Sequence, residues 1–262
     1  MKIAFVGDSF CADITREFSY PYIVAQELGV EIISAGLSGA HYYQSYYELV
    51  GPPEGTRHKM DIDEADYIIF CITEPFRLPN KWGFGLTDSI VIDYMKNLSK
   101  SQQCENNGND KWSTTPNMSS RKIASIMESA DQYYTNLINR DFHMAAQKGL
   151  LMQTDEKLLS HVQQKKCIWF PCFPSSMQGF VPKSGPIADT PLFDLCIQEN
   201  PEYWLAKDPT RRITNHFSDV DNEIMAKIIL DAFSNQAWSG PERRRECLNS
   251  RVIKMRDYFN GN

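Results

Sequence analysis

A chain of 262 residues that is 42% hydrophobic and 12% aromatic is long enough to bury a sizeable core and too apolar for a disordered or collagen-like class. Its formal net charge of −6 argues against nucleic acid as a partner, since such binding relies on clustered positive charge facing phosphates. Its seven cysteines show no Cys-x-x-Cys or zinc-like spacing, which points to reduced thiols, no bound metal and no cofactor. The first residues are interrupted too soon for a signal peptide, and no apolar stretch approaches the ~18–20 residues that span a bilayer. The expectation is a soluble protein made in the cytosol without a membrane partner.

In chain order, Lys2 to Val6 is a strand-forming run that stops at Gly7-Asp8-Ser9, the pattern of a buried strand ending in a sharp turn. A helix is expected to start near Thr15 and to run through Phe18, Tyr22, Ile23, Ala25 and Leu28, spaced to cover one face of a sheet. Val30 to Ser34 is the second strand, at βαβ spacing from the first. A loop with Gly36 and Gly39 follows, and a tyrosine-rich helix opens after His41. Gly51 to Gly55 breaks that helix, and an acidic stretch leads into the third strand, Tyr67 to Ile72. Its continuous apolar character is that of a strand covered on both faces.

Residues 78–120 form a long insertion, and its part from Leu98 to Ser120 is polar enough to read as a loop or lid. Arg121 to about Lys148 carries apolar residues at helical spacing, and Asp155 to Gln164 continues as a shorter helix. Lys165 to Phe173 is the fourth strand, ended by prolines. Proline-punctuated chain then leads to His216 and a strongly patterned helix over Val220 to Leu230. The domain organisation expected is one α/β domain over 1–238 and a basic amphipathic helix or tail over 239–262, where six basic residues face three acidic ones. The plain reading of that tail is a surface helix docked on the domain or on a second subunit.

Ser9 stands at the carboxyl end of a strand, where ligands bind in open α/β sheets and backbone N–H groups can hold a developing negative charge. Ser and Asp are also common in turns, because their side chains satisfy free backbone N–H groups. The late Thr214-Asn215-His216-Phe217 just before the last helix shifts the balance towards chemistry. A Gly-Asp-Ser after the first strand, a glycine-bearing loop after the second and a His before the last helix resemble the SGNH or GDSL hydrolases, over residues 1–75 and 165–235.

The resemblance implies a flavodoxin-like three-layer α/β sandwich with a parallel sheet. It implies Ser9 as nucleophile, His216 as general base, and the backbone of Ser9 and Gly39 as oxyanion donors. Relatives carry Gly-x-Asn-Asp after the third strand, where this chain has Thr73-Glu74-Pro75-Phe76-Arg77. Thr73 is the stand-in for the Asn, as a hydroxyl oxyanion donor. Relatives also carry Asp three residues before the His, where this chain has Ile213. That leaves a Ser–His dyad, or a triad completed by Asp208 or by a main-chain carbonyl.

Glu74, Arg77 and His41 stand at the same edge as substrate-binding candidates. The plain alternatives are a loop-tying ion pair for the first two and a solvent-facing histidine for the third. The activity implied is a serine esterase acting on small acyl esters, with O-acetylated glycan as the substrate class. The alternative is a non-catalytic SGNH-fold binding or structural component, for instance of a phage particle, with a homo-oligomer or virion assembly as partner. A nucleotide-binding domain is the weaker reading, because the first loop has no glycine-rich phosphate cradle.

Overall fold

Strand runs that are apolar at every position need cover on both faces, and the observed architecture supplies it. The structure is a computed structural model, and it describes residues 1–37, 40–50, 64–77, 120–160, 166–177, 179–188, 191–192, 217 and 219–234. Strands β1 (Lys2–Val6), β2 (Glu31–Ser34), β3 (Tyr67–Ile72) and β4 (Lys166–Pro171) form one all-parallel sheet in the order β2-β1-β3-β4. The chain goes from β1 to one neighbour and returns on the other side with β3, so the topological switch point lies between β1 and β3. Beyond β4, Ile187 forms a parallel bridge with Trp169, held by Trp169 N–H to the Pro186 carbonyl and Ala188 N–H to the Trp169 carbonyl.

Side chains alternate across the sheet as the period of two requires. Ile3 and Phe5 of β1, with Ile69, Cys71, Ile168 and Phe170, enter one core. That core is closed by α1 (Tyr20–Leu28) through Tyr20 and Val24, and by α5 (Asp219–Ser234) through Met225, Ile229 and Phe233. Ala4 and Val6, with Ile68, Phe70, Ile72 and Trp169, enter a second core that α4 (Arg140–Leu159) covers with Leu151 and Leu158. Helix α2 (Tyr42–Val50) lies against α4, and the Tyr46 hydroxyl donates to Gln153 Oε1 at 2.8 Å. Among the described residues, no helix is long and apolar enough to cross a membrane.

Three helix limits differ from expectation. Helix α1 starts at Tyr20 rather than near Thr15, because Pro21 occupies the first turn. A proline lacks an N–H and its ring clashes with the carbonyl four residues earlier, so it is tolerated there and not seven residues into a helix. Phe18 consequently lies outside the helix and is 53% exposed. The helix expected over 121–148 is two helices, α3 (Ser120–Asn136) and the start of α4, and α4 runs on without a break into the separate helix expected from Asp155. Asn139 caps α4 by accepting from the Phe142 N–H at 2.9 Å, which sets a new helix start where apolar spacing alone continues. The expected lid and the basic tail lie outside the described residues.

Ser19, at the N-cap of α1, makes no side-chain cap bond. The last helix supplies the missing acceptor: Asn222 Oδ1 takes the Tyr20 N–H at 2.9 Å, and Asn222 Nδ2 donates to the Phe217 carbonyl at 3.3 Å. This amide joins the two ends of the domain across the first core. Asn222→Ala is expected to lower stability by about 1–2 kcal/mol, the range for a lost helix cap. Chemical denaturation of the two proteins checks it, and an unchanged midpoint would mean that apolar contacts alone hold α1 to α5.

Candidate active site

The turn after β1 is built around a close approach of two chains. Gly7 has φ of 145°, and a Cβ there would lie 2.4 Å from the Cys71 carbonyl oxygen, so only glycine fits. Asp8 follows with extended backbone, and its Oδ1 accepts the Phe10 N–H at 3.1 Å, capping a single 3-10 turn over Ser9–Cys11. Ser9 is half-buried at the first position of that turn. The loop after β2 is tied to the same place by Leu37 N–H to the Gly7 carbonyl and Gly36 N–H to the Cys11 carbonyl, each at 3.0 Å.

The Asp8 carboxylate is fully buried, and its partners come from three strand ends. Oδ2 receives the Arg77 guanidinium and the Thr73 hydroxyl, each at 3.2 Å, both from the segment after β3. Oδ1 receives the Cys172 thiol at 3.3 Å, from the end of β4. Burial, the neighbouring Cys71 thiol and the Asp8 charge all push the Cys172 thiol upward, so it is protonated and can donate. Arg77 also donates to the Ala40 carbonyl at 3.0 Å, Thr73 Oγ1 lies 3.1 Å from that same oxygen, and the guanidinium sits 5.0 Å from the Phe173 ring centre.

The segment after β3 is fixed from its other side as well. Gln147 of α4 donates to the Thr73 carbonyl at 2.6 Å, the Tyr134 hydroxyl donates to the Phe76 carbonyl at 2.7 Å, and Arg140 lies over the Phe76 ring at 4.6 Å. Sequence reasoning did not single out Gln147, Cys172 or the Ala40 carbonyl. Gln147 carried a readable signal, because it falls four residues before Leu151 on the buried stripe of a helix.

The sequence candidates fall into three groups. Ser9, Thr73 and Arg77 are brought together around Asp8. Thr73 has one hydroxyl hydrogen and two acceptors for it, Asp8 Oδ2 and the Ala40 carbonyl, so any oxyanion donation from Thr73 competes with both. Arg77 is 5% exposed and takes the internal ion pair, while Glu74 is half-buried beside it in the chain. His41, for which a solvent-facing position was the plain alternative, is 8% exposed, and its Nδ1 accepts the Gln44 N–H at 3.3 Å at the start of α2. Gly39, Asp208 and His216 lie outside the described residues, whereas Phe217, the residue after His216, lies within them. Its ring packs edge to face on Phe10 at 5.9 Å and on Tyr20 at 6.0 Å.

Among the described residues, no group of His, Cys, Asp and Glu is arranged to hold a metal ion. The described cysteines, Cys11, Cys71, Cys167 and Cys172, are buried free thiols. No protein-family model, no curated protein and no solved structure matches this chain.

Burial, and then the charge of Arg77, holds the His41 imidazole down to about 4 from its ordinary 6.5. Between those values the unfolded chain binds the proton and the folded one does not. This share of the stability is therefore complete above about pH 6.5 and is lost as pH falls towards about 4. It amounts to something on the order of 3 kcal/mol. His41→Gln keeps a neutral polar side chain without the titration, so its melting temperature should fall less than the wild type's between about pH 7 and about pH 4. Parallel profiles would place the acid sensitivity in other groups.

Proposed function

We propose that this chain is a serine ester hydrolase of the SGNH type, acting on small acyl esters with O-acetylated glycan as the substrate class. The observation that carries the reading is the contact between Phe10 and Phe217. Phe10 follows the proposed nucleophile Ser9 in the chain, and Phe217 follows the proposed base His216. A Gly-Asp-Ser turn at the carboxyl end of β1, beside the switch point of a parallel sheet, is the second support.

In the proposed reaction His216 takes the Ser9 hydroxyl proton while Oγ bonds to the ester carbonyl carbon. The backbone N–H groups of Ser9 and Gly39 hold the tetrahedral oxyanion. Collapse breaks the ester C–O bond, and the leaving alkoxide takes the proton from His216. Water, deprotonated by His216, attacks the acyl-enzyme and releases the carboxylic acid and the free serine. Asp208, or a main-chain carbonyl, orients the imidazole. The commitment of the Thr73 hydroxyl to Asp8 and Ala40 favours a second reading, a non-catalytic SGNH-type binding or structural component such as part of a phage particle.

An activated Ser9 reacts with a fluorophosphonate probe and releases the chromophore from an aryl acetate, and Ser9→Ala abolishes both while the circular dichroism spectrum is unchanged. Turnover is expected to be slow, because one missing oxyanion donor costs roughly 10²–10³ in kcat elsewhere. Labelling with weak turnover supports a specialised esterase. Folded protein that neither labels nor turns over would leave the binding or structural reading in its place.

A further inference from the structure

We propose that Arg77 is the positioning residue of this site, a guanidinium that fixes Ala40, in the loop after β2, against Asp8, in the turn after β1, and thereby aligns the Ser9 N–H of that turn. The inference rests on the esterase reading, which makes that N–H an oxyanion donor. Three observations carry it. Arg77 Nη1 reaches Asp8 Oδ2 at 3.2 Å and the Ala40 carbonyl at 3.0 Å, so a single nitrogen joins the residue before Ser9 to the residue after Gly39. The guanidinium is held flat by the Phe173 ring at 5.0 Å, and Phe173 in turn packs on Phe10 at 5.8 Å. The segment that carries Arg77 is itself immobilised by Gln147, Tyr134 and Arg140.

Among the described residues Arg77 Nε is buried without a hydrogen-bond partner, so the polar contacts described for the guanidinium are those of Nη1. Planarity matters in that placement, since a lysine ammonium carries the same charge without the rigid fork or the flat face that stacks on an aromatic ring. Thr73 Oγ1 contacts the same two acceptors, so it is the weaker second brace between the same segments. Oxyanion donors act on a charge that exists only in the transition state, so their displacement lowers kcat and leaves ground-state binding unchanged.

The test uses three variants of the full chain: Arg77→Lys, the charge-balanced double variant Asp8→Asn with Arg77→Met, and Thr73→Val. The double variant removes both charges of the buried pair together, which avoids leaving an unpaired carboxylate in the core. Each protein is titrated with a fluorophosphonate so that kcat is expressed per reactive serine, and kcat and KM are measured on an aryl acetate. The expected result for the double variant is a fall in kcat of roughly 10²-fold, the scale for a misplaced catalytic group. KM should stay within about twofold. Arg77→Lys should recover part of the loss, and Thr73→Val should lose less. A lower melting temperature or fewer reactive serines with wild-type kcat per site would show a merely structural brace and overturn the proposal. Wild-type protein that neither labels nor turns over would overturn the esterase reading and the positioning role together, an outcome distinct from an active wild type with unchanged variants.

Discussion

A carboxylate with no solvent exposure, Asp8, sets the terms for the whole carboxyl edge of the sheet. A buried charge without partners is expensive enough that a protein neutralises it or surrounds it with donors. Here the Phe10 N–H, the Cys172 thiol, the Thr73 hydroxyl and the Arg77 guanidinium share its two oxygens. Those donors belong to the segments that follow β1, β3 and β4, and Arg77 and Thr73 extend the arrangement to the Ala40 carbonyl after β2. Asp8, with Arg77 and Thr73, thus ties together the ends of all four strands. Removing one partner of such a pair costs about 3–5 kcal/mol in other proteins, because the other charge stays buried.

The close approach that this arrangement requires explains the small residues around it. A Cβ on Gly7 would meet the Cys71 carbonyl, and one on Gly36 would lie 2.5 Å from both the Asp8 carbonyl and Cys11 Sγ. Cys11, Cys71 and Cys172 fill the space beneath the turn as small, weakly polar side chains, and Cys71 Sγ meets the Tyr20 hydroxyl at 3.5 Å. Tyr20 opens α1, whose first N–H is held by Asn222 of α5. Packing therefore runs without a break from the Gly-Asp-Ser turn to the last helix, and Phe217 lies on that path with Phe10 and Tyr20 as neighbours. A half-buried serine on such a base has little freedom to drift, a requirement for any site that holds groups within fractions of an ångström.

The sheet was legible because its signal is local. The unbroken apolar runs at Tyr67–Ile72 and 167–171 are read from neighbouring residues alone, and both form strands. The start of α1 is set by Pro21, which apolar periodicity does not register, and the break before α4 is decided by a single capping residue, Asn139. Asp8 was legible only in part. Its bond to the Phe10 N–H is a short-range turn feature, whereas its partners Thr73 and Cys172 lie 65 and 164 residues away. Nothing in the spacing of those residues reports that folding brings them together. The neutral imidazole of His41 was not legible for the same reason, since burial, and then the Arg77 charge from another strand end, hold its pKa down.

The end of the third strand bears most directly on the proposed chemistry. At the position where the proposed SGNH reading calls for an Asn oxyanion donor, this chain has a Thr whose one hydroxyl hydrogen lies between Asp8 and the Ala40 carbonyl. Four residues further on stands an Arg whose bridging nitrogen contacts the same two acceptors. The Thr73 hydroxyl and the Arg77 bridging nitrogen are therefore engaged in holding other segments in place. In the esterase proposed here, transition-state stabilisation would fall to backbone N–H groups alone, whose direction is fixed by the chain and cannot be tuned by a side-chain rotamer. Such donors work only as well as their loops are aligned. In that proposed esterase the rigidity of the Asp8 cluster would be a kinetic property of the site as well as a source of stability.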